Sequence, residues 1–285
     1  MSRIGRKPIK IPSGVKVKIG DSVLEVEGKL AKLESPIPKG IRFELKGDEL
    51  VAIRESDGTA AWRTQLDDQG SISMTPAVAA GKVFFGSSSG KFLALDLKTG
   101  GKAWTYEGQA QFGWTSPVAA FGKVFVGDRG IRNGRRGAIN AFDQASGKLV
   151  WSTVFGATGL STPGVGEGFI VAGFGRTVGK FDASTGEISP TPRIRTGANA
   201  FGSPTVVGET LYFGNLDGHL YAHDLKSGDL NWAFTVPKAQ VLDFVHTGDR
   251  IFVSTTKGLF ALGNDPGKGP APSGFVLEWK EKQGG

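Results

Sequence analysis

One short pattern recurs along this chain and limits what it can fold into. LALDLKTGGKAW (Leu93 to Trp104), INAFDQASGKLVW (Ile139 to Trp151) and LYAHDLKSGDLNW (Leu220 to Trp232) share Ala-x-Asp-x-x-Ser/Thr-Gly-x-x-x-Trp, and VAIRESDGTAAW (Val51 to Trp62) is a fourth, looser copy. A second landmark precedes each full unit. Thr75-Pro76, Ser116-Pro117, Thr162-Pro163 and Ser203-Pro204 place prolines 41, 46 and 41 residues apart. Between the landmarks, alternating runs such as KVFFGSS, KFLALDL and KAWTY read as short strands separated by Gly, Asp and Ser turns. Four strands returning every 41 to 47 residues or so match a β-propeller blade, and a helical solenoid does not fit such a pattern.

Composition agrees with many tight turns, since the 285 residues include 44 Gly and 14 Pro and only 39% are hydrophobic. Cysteine is absent, which excludes disulfides, thiolate nucleophiles and Cys-ligated metal sites. No run is long and apolar enough for a membrane helix, and the opening residues lack the apolar core of a signal peptide. As written, the sequence leads one to expect a cytoplasmic, monomeric protein.

The repeated motif has a mechanical reading. Asp and Ser/Thr oxygens serve turn amides, Gly takes positive φ, and the Trp four residues later covers the neighbouring blade. Trp62, Trp104, Trp151 and Trp232 are accordingly assigned to blade docking. Pro190 stands where one unit would place its Trp, and after Leu262 the last unit passes through GNDPGKGPAPSG before Trp279.

The motif resembles the repeats of the pyrroloquinoline-quinone-like (PQQ-like) propeller family, over about residues 58–285. That family holds quinoprotein dehydrogenases and the periplasmic propeller subunit of the outer-membrane-barrel assembly machine, so the resemblance implies a fold more strongly than a function. The opening, MSRIGRKPIKIPSGVKVKI with SVLEVEG and GDELVAIRESD, resembles bacterial large-subunit ribosomal protein L-six over residues 1–57. The two likenesses overlap. Ser35-Pro36 can be taken as another Pro landmark, with IRFELKG and ELVAIRE as middle strands, so that 30–57 joins a first blade. The expected fold is therefore an all-β propeller of four-stranded blades, read as six: five clear repeats, plus one formed by the N-terminal segment. The blades run over about 30–66, 71–107, 112–155, 158–195, 199–237 and 241–281.

Two basic features stand out from a formal net charge of +7. Met1 to Lys18 carries six Lys or Arg and no acid. Arg3, Arg6, Lys7 and Lys10 are candidate RNA-phosphate contacts there, with a solvated arm as the plain alternative. The insertion DRGIRNGRRG offers Arg129, Arg132, Arg135 and Arg136 for an anion or a partner protein, or as a solvated hairpin tip. His219, His223 and Asp217 fall on one strand face, yet turn or core roles explain them better than a metal. GFGRTVG (Gly173 to Gly179) reads as a strand turn.

A quinone enzyme of the resembled family needs a calcium site and a catalytic carboxylate, often with adjacent cysteines over the ring. Asp96, Asp143, Asp182 and Asp224 are each accounted for by the turn motif. The sequence thus points to a non-catalytic scaffold or protein-interaction module with no catalytic residue, metal or cofactor. A ribosome-associated rRNA binder is the alternative, and a quinone-dependent oxidoreductase stands third.

Overall fold

In the computed structural model, residues 49–263 are described in full except 55–57, 68–69, 109, 131–136, 156–159, 201 and 248–249, while strands at 16–19, 23–27, 32–36, 41–46 and 276–279 are described by their backbone. All regular structure among these residues is β. β1 (Lys16–Ile19), β2 (Val23–Glu27) and β3 (Lys32–Pro36) form a three-stranded antiparallel sheet of their own. Six further sheets follow, and they are the blades of a propeller.

The first blade holds β4 (Ile41–Lys46), β5 (Glu49–Arg54) and β6 (Ala60–Gln65). The second holds β7 (Ala77–Ala79), β8 (Lys82–Gly86), β9 (Lys91–Asp96) and β10 (Lys102–Glu107). The third comprises β11 (Val118–Ala120), β12 (Lys123–Gly127), β13 (Ala138–Asp143) and β14 (Leu149–Val154). In the fourth are β15 (Gly164–Gly166), β16 (Phe169–Phe174), β17 (Thr177–Asp182) and β18 (Ile188–Arg195). The fifth contains β19 (Thr205–Val207), β20 (Thr210–Gly214), β21 (His219–Asp224) and β22 (Leu230–Thr235). The sixth is β23 (Val241–His246), β24 (Arg250–Thr255), β25 (Gly258–Gly263) and β26 (Val276–Trp279).

Pro76, Pro117, Pro163 and Pro204 stand immediately before the short first strands β7, β11, β15 and β19, where a residue without an N–H costs no ladder bond. Those strands touch in succession, β7 with β11, β11 with β15 and β15 with β19, and form the inner edge of the array. Pro36 does not join this series. It closes β3, which pairs with β2 through Val23↔Pro36, so the first blade begins at β4 and has three strands among the described residues.

Strand alternation explains why the middle strands are apolar throughout. Phe85 enters a core shared by the first and second blades, whereas its neighbour Phe84 enters the core between the second and third. Val124 and Phe125 divide in the same way, as do Ile170 and Val171, then Leu211 and Tyr212. The sheets of the second to fifth blades are therefore buried on both faces, and in their middle strands a continuous apolar run replaces the usual alternation.

The repeated motif joins one blade to the next. Asp143 Oδ1 accepts N–H bonds from Ala145 and Ser146 and the Ser146 hydroxyl, and Gly147 turns the chain at φ 72°. Trp104 of the preceding blade then lies so close over that turn that a methyl on Gly147 would come within 2.5 Å of its Cδ2. Its Nε1 donates to Gln144 O at 3.1 Å, while the Gln144 N–H donates to Gly122 O of the first hairpin. Trp62 makes the same bond to Leu97 O (2.9 Å), and Trp151 makes it to Ala183 O (3.2 Å). Trp232 packs on Tyr212 and on the core it shares with the sixth blade.

Register places these indoles opposite a small residue, with Ala52↔Trp62, Ala94↔Trp104, Ala141↔Trp151 and Ala222↔Trp232 each beside a bulge. Trp279 takes the same position opposite Ala261, so the long interruption before it leaves the blade register intact. The fourth blade departs from the sequence reading. β18 carries an enlarged bulge between Phe181↔Ile188 and Gly179↔Arg193, so Pro192, not Pro190, reaches the docking position over Gly228.

Trp104→Ala removes a buried indole and its bond, and a loss of about 3–5 kcal/mol is expected from denaturant unfolding. Gly147→Ala meets both the positive φ and the indole, and a loss above ~1 kcal/mol is expected in the same measurement. The Asp182 carboxyl is lowered to about 2, chiefly by the Ser184 hydroxyl and then by turn amides. A lowered folded value favours the folded state above the unfolded value of 3.8, and that advantage is lost as pH falls towards 2. Between pH 4 and pH 2, Asp182→Asn should therefore lose less thermal stability than the parent chain.

Candidate functional site

Antiparallel order sends the turns to two faces of the propeller. The turn between second and third strands of each blade, and the connector leaving its fourth strand, lie at the end opposite the Asp-Gly turns. The Asp-Gly turns repeat, while the other face varies from blade to blade, which makes it the better place for a specific site.

On this variable face the third blade is the most elaborated. Its insertion leaves β12 at Asp128 and returns at Ala138. Asp128 is buried and holds the base of the loop closed. Its Oδ1 accepts the N–H groups of Gly130 (2.7 Å) and Ala138 (3.2 Å), and its Oδ2 accepts Asn140 Nδ2 (2.6 Å). Burial pushes this carboxyl above its ordinary range, against the lowering effect of those bonds. Arg129 follows directly, its N–H bonded to Gln111 O and its Cζ 3.7 Å from the ring centroid of Trp114. Trp114 is 50% exposed. The next residue, Thr115, is buried and clamps β12 twice, donating to Gly127 O and accepting its N–H. A guanidinium stacked on an open indole is thus presented from two anchored backbones.

Trp114 escapes the sequence reading because it sits outside the repeated motif. Its signal is that same displacement, since it does not stand four residues after a turn glycine as Trp62, Trp104, Trp151 and Trp232 do. Of the basic candidates only Arg129 is placed. Arg132, Arg135 and Arg136, like Arg3, Arg6, Lys7 and Lys10, lie outside the described residues.

The histidines have local partners. Asp217 accepts the backbone N–H of His219 and pairs with its Nδ1 at 2.9 Å, and it also accepts Tyr221 Oη and Asn215 Nδ2. His223 turns away to Gly228 O and stacks on Phe213, and burial lowers its pKa. His246 packs on Tyr212. Among the described residues no three His, Asp or Glu side chains converge on a metal position. Gly173 to Gly179 forms the β16–β17 hairpin, closed by Phe174↔Thr177 around Gly175 and Arg176. Arg176, Thr177, Arg195 and Thr196 line a cleft of about 460 Å³ beside it.

Six sheets, with Trp62, Trp104 and Trp151 docked onto the Asp-x-x-Ser/Thr-Gly turns of the blades that follow, define a β-propeller of the PQQ-like repeat class. A family model described as outer membrane protein assembly factor BamB matches residues 44–132 and 109–267, and the chain belongs to that family. The crystal structure of BamB from Moraxella catarrhalis superposes with a TM-score of 0.51 at 14% identity, covering 88% of this chain and 93% of that one, a likeness of fold. The dehydrogenase subunit of alcohol dehydrogenase (quinone) from Gluconobacter oxydans is 40% identical over 90 residues, which are 28% of this chain and 12% of that protein. Large ribosomal subunit protein uL6 from Geobacter sulfurreducens is 46% identical over 61 residues, 21% of this chain and 34% of that protein. The chain thus spans about an eighth and a third of these two curated relatives.

A quinone-bound calcium would need several free carboxylate and amide oxygens around one point. The donor set described here does not fit. The repeated aspartates each serve their own turn, and Asp128 and Asp217 are taken up by neighbouring donors. No helix among the described residues is long and apolar enough to cross a membrane.

Asp128→Ala leaves three donors at the loop base without their acceptor. It is expected to cost about 2–4 kcal/mol, as buried bonds to a charged group do, and to speed amide exchange at Gly130 and Ala138.

Proposed function

We propose that this chain is a non-catalytic propeller module that holds another protein against the variable face of its third blade. The observation that carries this reading is the Arg129–Trp114 stack, half open to solvent and braced by Thr115 and Asp128. Trp and Arg dominate the energetics of protein interfaces, and an anchor already held in its bound shape loses little entropy on docking. Membership of the BamB family supports the reading, as does a donor set that fits turns better than a cation-bound quinone.

The test is affinity capture from lysate with and without nuclease, followed by titration of the dominant captured protein. Trp114→Ala and Arg129→Ala should each weaken that protein's binding by about 2 kcal/mol or more, the range of interface anchors, with thermal stability unchanged. Equal affinity of both variants would refute the assignment.

The uL6 likeness favours a second reading, in which Arg3, Arg6, Lys7 and Lys10 grip ribosomal RNA phosphates. In that case nuclease abolishes the capture, and Lys7→Gln with Lys10→Gln flattens the log–log salt slope of RNA binding by about 2.

A further inference from the structure

The fourth blade carries two arginines in one cleft, with no acid among the described residues that line it. Arg176 belongs to the two-residue turn that joins β16 to β17, and Arg195 ends β18 directly across from Thr177. Neither arginine makes an ion pair among the described residues. Arg176 is fixed by the connector opposite: its carbonyl accepts the Thr196 N–H at 3.0 Å, and its Nε donates to Thr196 O at 3.3 Å. Ala200 N–H closes on Gly175 O at 2.9 Å, which ties down the other side of the turn. The bond through Nε engages one of the five donors of Arg176, a residue that lines the cleft. Asp217 of the β20–β21 turn, which a methyl on Gly197 would approach to 3.1 Å, is already engaged by His219, Tyr221 and Asn215.

Two like charges held together in a cleft, with one pinned in place, repel each other unless an anion is shared. A carboxylate has one charge and one plane of acceptors, which a single guanidinium fork satisfies. Two forks in a cleft that Thr177 and Thr196 also line suit a tetrahedral, doubly charged group better. We propose that the Arg176–Arg195 cleft is a phosphate-binding site, separate from the Arg129–Trp114 surface and independent of what docks there.

Calorimetric titration of the full chain in low-salt buffer, with inorganic phosphate and with glycerol phosphate, tests this. One saturable site is expected for at least one of the two, and the tighter ligand tells a free ion from an esterified one. Arg176→Gln or Arg195→Gln should each weaken binding by about tenfold or more, the effect of losing a charge-assisted bond. Arg129→Gln should leave it unchanged, and acetate should bind at least about tenfold more weakly than phosphate. Arg195→Gln touches no backbone anchor, so it keeps the test decisive even if Arg176→Gln lowers stability. Absence of saturable binding by both phosphates, equal binding to the Arg195→Gln variant, or acetate binding as tightly as phosphate would overturn the proposal.

Discussion

The fold depends on one contact made several times: the indole of one blade lying flat on the glycine of the next blade's outer turn. That contact works only because three local choices agree. The glycine lacks a side chain and accepts positive φ, the aspartate satisfies the turn amides, and the carbonyl after the aspartate stays free to receive the indole N–H. The same residue, Leu97, Gln144 or Ala183, also donates its N–H to the first hairpin of its own blade. One backbone unit therefore ties together two hairpins of a sheet and the sheet beside it.

Much of this was legible in the sequence because the motif states its own chemistry. The Gly-to-Trp spacing marks docking and the Pro landmarks mark successive blades, whereas runs such as KVFFG and KFLALD, read as alternating, are buried throughout because a neighbouring blade covers each face. The reading failed where spacing alone could not reveal pairing. Pro36 fits the interval of the other prolines but is claimed by β2, since nothing in a single proline says which strand its neighbours will join. Pro190 fits the Trp position by count, yet an enlarged bulge shifts the register and brings Pro192 there. Bulge size is set by the partner strand and the adjacent blade, which no local pattern records.

The candidate sites were harder to see because each depends on residues from two segments. Arg129 was visible as part of a basic loop, but its aromatic partner lies fifteen positions earlier in a connector with no motif of its own. Arg176 and Arg195 are separated by a hairpin and meet only through its pairing. Repetition describes the framework well and says little about the face where the blades differ.

The closed base of the third-blade loop has an architectural consequence. Because Asp128 gathers Gly130, Ala138 and Asn140 into one buried knot, the ends of the insertion are spliced together before the loop begins. The closure is made by residues that flank the insertion and by Asn140 of β13, not by the insertion's tip. The position is a natural grafting port, where recognition segments of different length and chemistry could be exchanged without redesigning the wheel that carries them.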